Sequence, residues 1–167
     1  ERSPSEAPSQ TEASSKGVVE PNRVSPLCPF DYFAETLGIE VARSRRYRHK
    51  FTVILAQIHL QATDVEESGL SIALQELGYR FYKRIRITDI GARHENKFFI
   101  LLPETDYENA QKVLKSLTEQ MKEFFAESQK SGGAQLTAEL AAVEYPKDAD
   151  TVEGLITLLE TKVSREG

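Results

Sequence analysis

The sequence predicts an α+β domain built on a βαββαβ core, with one further helix at each end. Three observations point there. Apolar spacings of three and four residues, the mark of amphipathic helices, alternate with short apolar runs of strand length. Two of those runs lie back to back across the polar segment Glu95-Asn96-Lys97, which reads as a tight hairpin turn with Asn96 at positive φ. No apolar run approaches the roughly 18–20 residues that cross a bilayer, so the hydrophobic segments belong to a folded core.

The chain divides at its composition. Residues 1–27 are rich in Ser, Pro, Glu, Ala and Thr and nearly free of large apolar side chains, so they read as a disordered linker. A tether to an upstream sensory or membrane domain is the functional reading of that segment; an expression remnant is the alternative. Residues 28–167 read as the folded domain. Cys28, the only cysteine, excludes an internal disulfide and reads as a small apolar residue, with no acid–base partner in a nearby motif.

The elements follow in order. Asp31 reads as the cap of a first helix whose apolar positions Phe33, Leu37 and Val41 recur every four residues. That helix ends in the basic run RSRRYRHK, residues 43–50, which suits a helix C-terminus and also suits a phosphate or a membrane surface. FTVILAQIH, residues 51–59, reads as a strand. Leu70, Leu74, Leu77, Phe81 and Ile85 line a second helix. Residues 87–94 and 98–102 read as the two arms of the hairpin. A long helix then carries Ala110, Val113, Leu114, Leu117, Met121, Phe124 and Phe125, until Gly132-Gly133 breaks it. A strand over residues 136–143 and a last helix carrying Val152, Leu155, Ile156, Leu159 and Val163 complete the chain. The inner βαββαβ is the ferredoxin-like order, a mainly antiparallel sheet with helices expected on one face.

Bulk properties narrow the function. A net charge of −5 argues against a nucleic-acid polymer as partner. An RNA-recognition module would show stacking aromatics on its central strands; this chain's central strand offers Gln57 and His59, and its hairpin strand Gly91 and Ala92.

From about Pro29 onward the chain resembles a GGDEF domain, the bacterial diguanylate cyclase module. DYFAETLGIEVARSRR resembles the family's leading helix, FTVILAQIH its first core strand, and RITDIGAR the segment leading into the signature hairpin. FFILLPET resembles the strand and exit after the hairpin, ENAQKVLKSL the following helix, and AELAAVEYP the late strand. The resemblance implies a palm-type fold and a place in cyclic di-GMP signalling in the bacterial cytoplasm, including the cytoplasmic part of a membrane-anchored protein.

Departures from the family pattern shape the expected activity. An active member binds divalent metal through an aspartate at the end of the first core strand and through an acid at the hairpin tip. Such a metal wants hard oxygen ligands. Here Gln57 stands at the first place, with His59 two residues on, and Lys97 stands where the second acid is expected. HENKF replaces the tip glycines, with a turn one residue shorter, and QATDVEESGL replaces the substrate-reading segment. Asp64, Glu66 and Glu67 in that loop read as solvated charges at a helix start rather than metal ligands. The expectation is a non-enzyme with no cofactor and no metal.

One family site is retained. The product-binding Arg-x-x-Asp motif is matched by Arg86 and Asp89 in RITD, and the next arginine of the pattern by Arg93. A guanidinium suits the O6/N7 edge of guanine or a phosphate, and a carboxylate accepts from guanine N1 and N2. A further arginine expected from the following helix falls at Ser116; Lys112 and Lys115 are the nearest cations. The resemblance thus implies a cyclic di-GMP receptor binding through Arg86 and Asp89, with Arg93, Lys112 and Lys115 as accessories. A plain salt bridge is the competing reading of the pair. A degenerate scaffold that forms a homodimer or docks a partner is the competing reading of the domain.

Overall fold

The two continuous apolar runs of the sequence become the central strands of one sheet. The computed structural model of the protein describes residues 27–61, 67–132 and 135–166. Helix α1 (Phe30–Tyr47), strand β1 (Phe51–Leu60), helix α2 (Glu67–Arg84), strands β2 (Ile90–His94) and β3 (Lys97–Leu102), helix α3 (Tyr107–Lys130), strand β4 (Leu136–Tyr145) and helix α4 (Val152–Glu166) follow in the expected order. The sheet runs β2-β3-β1-β4 and every neighbouring pair is antiparallel.

Helices cover both faces rather than the one expected. The inner helices α2 and α3 pack on one face with Ile54, Phe81, Phe98 and Leu117. The flanking helices α1 and α4 close the other with Phe33, Val53, Phe99 and Leu155. This is why β1 and β3 are apolar without alternation: each successive side chain enters one core or the other. Phe33, Phe51, Phe81, Phe98 and Phe99 are fully buried, and each such ring contributes about 1.5–3 kcal/mol.

Four local expectations change. Asp31 does not cap α1: Pro29 holds the cap position without a side-chain bond, and the Asp31 carboxylate accepts from the adjacent Tyr32 N–H. Strand β2 starts at Ile90, not residue 87, because Asp89 folds residues 86–89 into a turn. The hairpin is turned by Glu95 and Asn96, and Glu95 is the residue at positive φ, 57°. Asn96 instead bonds the end of β1, its side chain donating to Ile58 O and its carbonyl accepting from Ile58 N–H at 2.9 Å. Finally, β4 continues two residues past 143, to Tyr145, pairing with the start of β1 at Phe51.

The edge of β2 is covered by the chain that precedes α1. Cys28 N–H donates to Gly91 O at 3.0 Å and Arg93 N–H donates to Cys28 O at 3.3 Å. Leu27 lies so close to the strand that a Cβ on Gly91 would come within 2.8 Å of its Cδ2, and the leucine side chain would have to shift to admit it. Burial pushes the Cys28 thiol up, consistent with a packing role. The expected linker over residues 1–27 lies outside the described residues except for Leu27. None of the described helices is long and apolar enough to cross a membrane.

Candidate functional site

Arg86 and Asp89 come together in the turn that joins α2 to β2. The Asp89 backbone N–H donates to Arg86 O at 3.0 Å, and the Asp89 carboxylate accepts the Arg86 backbone N–H at 2.7 Å. The guanidinium then folds over the same carboxylate. Nε lies 3.2 and 3.3 Å from its two oxygens and Nη2 lies 2.9 Å from Oδ1. The Asp89 side chain is 0% exposed while that of Arg86 is 58% exposed, so the arginine is a lid on a buried acid.

Two threonines that sequence reasoning passed over hold the lid. Arg86 Nη2 donates to Thr105 Oγ1 at 2.9 Å and to Pro103 O at 3.4 Å. Thr105 Oγ1 spends its own hydrogen on Pro103 O at 2.9 Å, which leaves its lone pairs to the arginine. Thr52, buried on β1, donates to Thr105 O at 2.8 Å and ties the β3–α3 turn to the sheet. The signal was the threonine in FFILLPET, a polar residue next to a strand end that the structure buries. The turn runs straight into α3, whose N-cap Asp106 accepts the Asn109 N–H at 2.9 Å; that bond holds its carboxyl below the ordinary carboxylate range.

The other expected site residues lie elsewhere. Arg93 stands at the far end of β2, four residues beyond Asp89, and Nη1 donates to Glu95 O at 2.8 Å. Lys112 and Lys115 are exposed on α3, and no hydrogen bond or ion pair joins either to Arg86 or Asp89. Asp64 and Glu66 lie outside the described residues, as does the side chain of Glu67.

At the hairpin tip the positions expected of metal ligands hold a different chemistry. Gln57 and Lys97 are direct partners across β1 and β3, so their side chains share the α4 face of the sheet. Lys97 Nζ pairs with Glu160 of α4 at 3.1 Å. On the neighbouring strand pair, His59 Nε2 lies 2.8 Å from Glu139 Oε1. Among the described residues no three His, Cys, Asp or Glu side chains gather as a metal site requires. Behind the tip a cavity of about 610 Å³ opens between β1, α2 and the hairpin. Ile58, Leu60, Leu70 and Leu74 form its apolar floor, and His59, Ser71, Arg93 and Glu95 its rim.

Comparison with known proteins follows the same architecture. Residues 31–166 match the family model described as "Diguanylate cyclase, GGDEF domain". No curated protein matches the chain. Among solved structures, the GGDEF domain of YfiN (TpbB) from Pseudomonas aeruginosa superposes with a TM-score of 0.68 at 16% identity, covering 86% of this chain and 94% of that one. The FimX GGDEF domain from Pseudomonas aeruginosa gives 0.67 at 18% identity, covering 90% and 96%. The GGDEF domain of DgcB from Caulobacter crescentus, solved in complex with c-di-GMP, gives 0.62 at 9% identity, covering 89% and 92%. At these identities the structural likeness is one of fold.

Proposed function

The chain belongs to the GGDEF family, and from that premise we propose that it is a non-catalytic member, a receptor that binds cyclic di-GMP through Arg86 and Asp89. The observation that carries the loss of catalysis is Lys97 beside Gln57. An ammonium, itself held by Glu160, stands where a divalent cation would need a carboxylate. Its positive charge repels a metal ion, and a neutral amide offers magnesium a poor ligand. The residues at this place do not fit the divalent metal on which the family's cyclase chemistry depends.

Binding at the other end of β2 is supported by the Arg86 geometry. Its guanidinium is exposed, planar and stiffened by Asp89 and Thr105, ready to meet the O6/N7 edge of a guanine or a phosphate. Asp89 is covered by Arg86 itself, so a guanine reaches the carboxylate when the guanidinium swings outward. One charge-assisted contact then replaces another, which keeps the net cost of opening small. Occupancy would act on whatever precedes α1, because the segment at Leu27 and Cys28 lies on the same strand, β2.

A second reading is favoured by the closure of the pair. Asp89 has its acceptors filled and its surface covered, as a structural salt bridge would, and the domain is then a scaffold for dimerisation or partner docking. Titration calorimetry with cyclic di-GMP separates the two. Binding on the order of micromolar, lost in Arg86→Ala and weakened in Asp89→Asn, is the expected result. No heat at high ligand concentration removes the receptor reading. Incubation with GTP and magnesium or manganese is expected to give no product; turnover sensitive to a change at Lys97 would overturn the non-catalytic reading.

A further inference from the structure

The basic run at the end of α1 has a physical setting that cyclic di-GMP binding does not use. Residues 43–50 carry Arg43, Arg45, Arg46, Arg48 and Lys50 within a chain whose net charge is −5. Among the described residues, Arg43 is near Glu40 and Glu104 and His49 is near Glu104, all at 3.8 Å. Arg45 donates only to a backbone carbonyl, that of Asp150, at 3.3 Å. No carboxylate of the described residues lies within ion-pair distance of Arg46, Arg48 or Lys50, while the Lys50 charge helps to hold the Asp106 carboxyl down.

Favourable interaction of cations with a helix C-terminus accounts for some of this charge. It does not account for the apolar groups beside it. Tyr32, Ile39 and Arg46 are spaced by seven residues and so share the outer line of α1, with Tyr32 57% and Ile39 61% exposed. Tyr47 is 58% exposed, and the Arg46 guanidinium lies 5.5 Å from its ring centre. Arg48, in the left-handed conformation at φ 61°, ends the helix and turns the chain, so that residues 48–50 flank its tip.

We infer that this face of α1 docks on an anionic phospholipid surface, with Arg46, Arg48 and Lys50 among the headgroups and Tyr47 and Ile39 at the interface. Clusters of several cations beside exposed aromatic and aliphatic groups are what such a surface binds. A second copy docked with its two-fold axis on this basic end fits poorly, because that contact would set these cations against themselves. An acidic peptide could meet the same arginines but would not account for the exposed Tyr32, Ile39 and Tyr47 beside them. The inference is independent of the nucleotide.

The test is flotation of the 167-residue chain with vesicles, in the absence of any nucleotide. The expected result is flotation with phosphatidylcholine–phosphatidylglycerol vesicles at low salt, release at high salt, and no flotation with phosphatidylcholine alone. Arg46→Glu/Arg48→Glu should lower the partition coefficient by at least about tenfold with an unchanged melting temperature. Lys122→Glu/Lys130→Glu on α3 makes the same change in net charge and should leave partition within about twofold of the parent. If the reversed-charge protein does not fold, Arg46→Gln/Arg48→Gln tests the same contacts at exposed positions. Absence of flotation on anionic vesicles, equal flotation on neutral ones, or an equal loss in the α3 variant would each overturn the inference.

Discussion

The two ends of strand β2 carry opposite electrostatic designs. At its exit, the hairpin tip brings Gln57 beside Lys97, and the ammonium is neutralised by Glu160 of α4, a partner from a different element. At its entrance, Arg86 closes on Asp89 within one turn of chain, and the acid is buried while the base stays at the surface. The first arrangement consumes its charge inside a contact between sheet and helix. The second keeps a guanidinium oriented toward solvent by acceptors beneath it. One hairpin therefore holds a charge locked between sheet and helix at one end and a guanidinium presented at the surface over a buried acid at the other.

Breaking the entrance should have the largest effect. Asp89→Ala removes the acceptor of the part-buried Arg86 N–H and the carboxylate under the guanidinium, at an expected cost of roughly 2 kcal/mol in urea unfolding. A change below about 0.5 kcal/mol would show that water replaces the carboxylate there. Thr105→Val removes one acceptor from Arg86 and one donor to Pro103 O, and should cost about 1 kcal/mol by the same measurement. Thr105→Ser should restore most of it.

The tip should respond less. Lys97→Ala breaks an ion pair whose partners are 27% and 44% exposed, so less than about 1 kcal/mol is expected. Gln57→Asp with Lys97→Asp sharpens the contrast, because it places two carboxylates across one strand pair; manganese binding by calorimetry should appear where the parent has none. A double variant that stays silent would show that two carboxylates at these positions are not enough to hold the ion.

The smallest effect concerns Asp106, which caps α3 directly after the turn that holds Arg86. Its folded-state pKa is depressed, chiefly by the Asn109 N–H, so its contribution is present above the unfolded value and is lost as pH falls through the folded one. The melting-temperature difference between parent and Asp106→Ala should be present at neutral pH and shrink below about pH 4. A difference that persists in acid would assign the effect to helix propensity rather than to the charged cap.

What the sequence determined alone was the order and kind of every element, the hairpin, the place of Arg86 and Asp89 before it, and the Gln57 and Lys97 side chains at its tip. These are local properties, set by residue spacing and side-chain type. The two-faced cover of the sheet was missed, although its signal was present: TVILA and FFILL are apolar at successive positions, which a strand with one wet face would not be. The capping by Pro29 rather than Asp31 and the positive φ of Glu95 rather than Asn96 followed from the surrounding chain, not from residue preference. Only the tertiary structure decided that Arg93 belongs to the cavity rim rather than to the Arg86 turn. It alone also decided that Thr105 and Thr52 buttress the arginine, that Lys97 answers to Glu160, and that Asp89 lies under its own partner. Each of these joins residues far apart in the chain or fixes one rotamer among several. Spacing carries no record of such contacts; they exist once the two cores have closed on either side of the sheet.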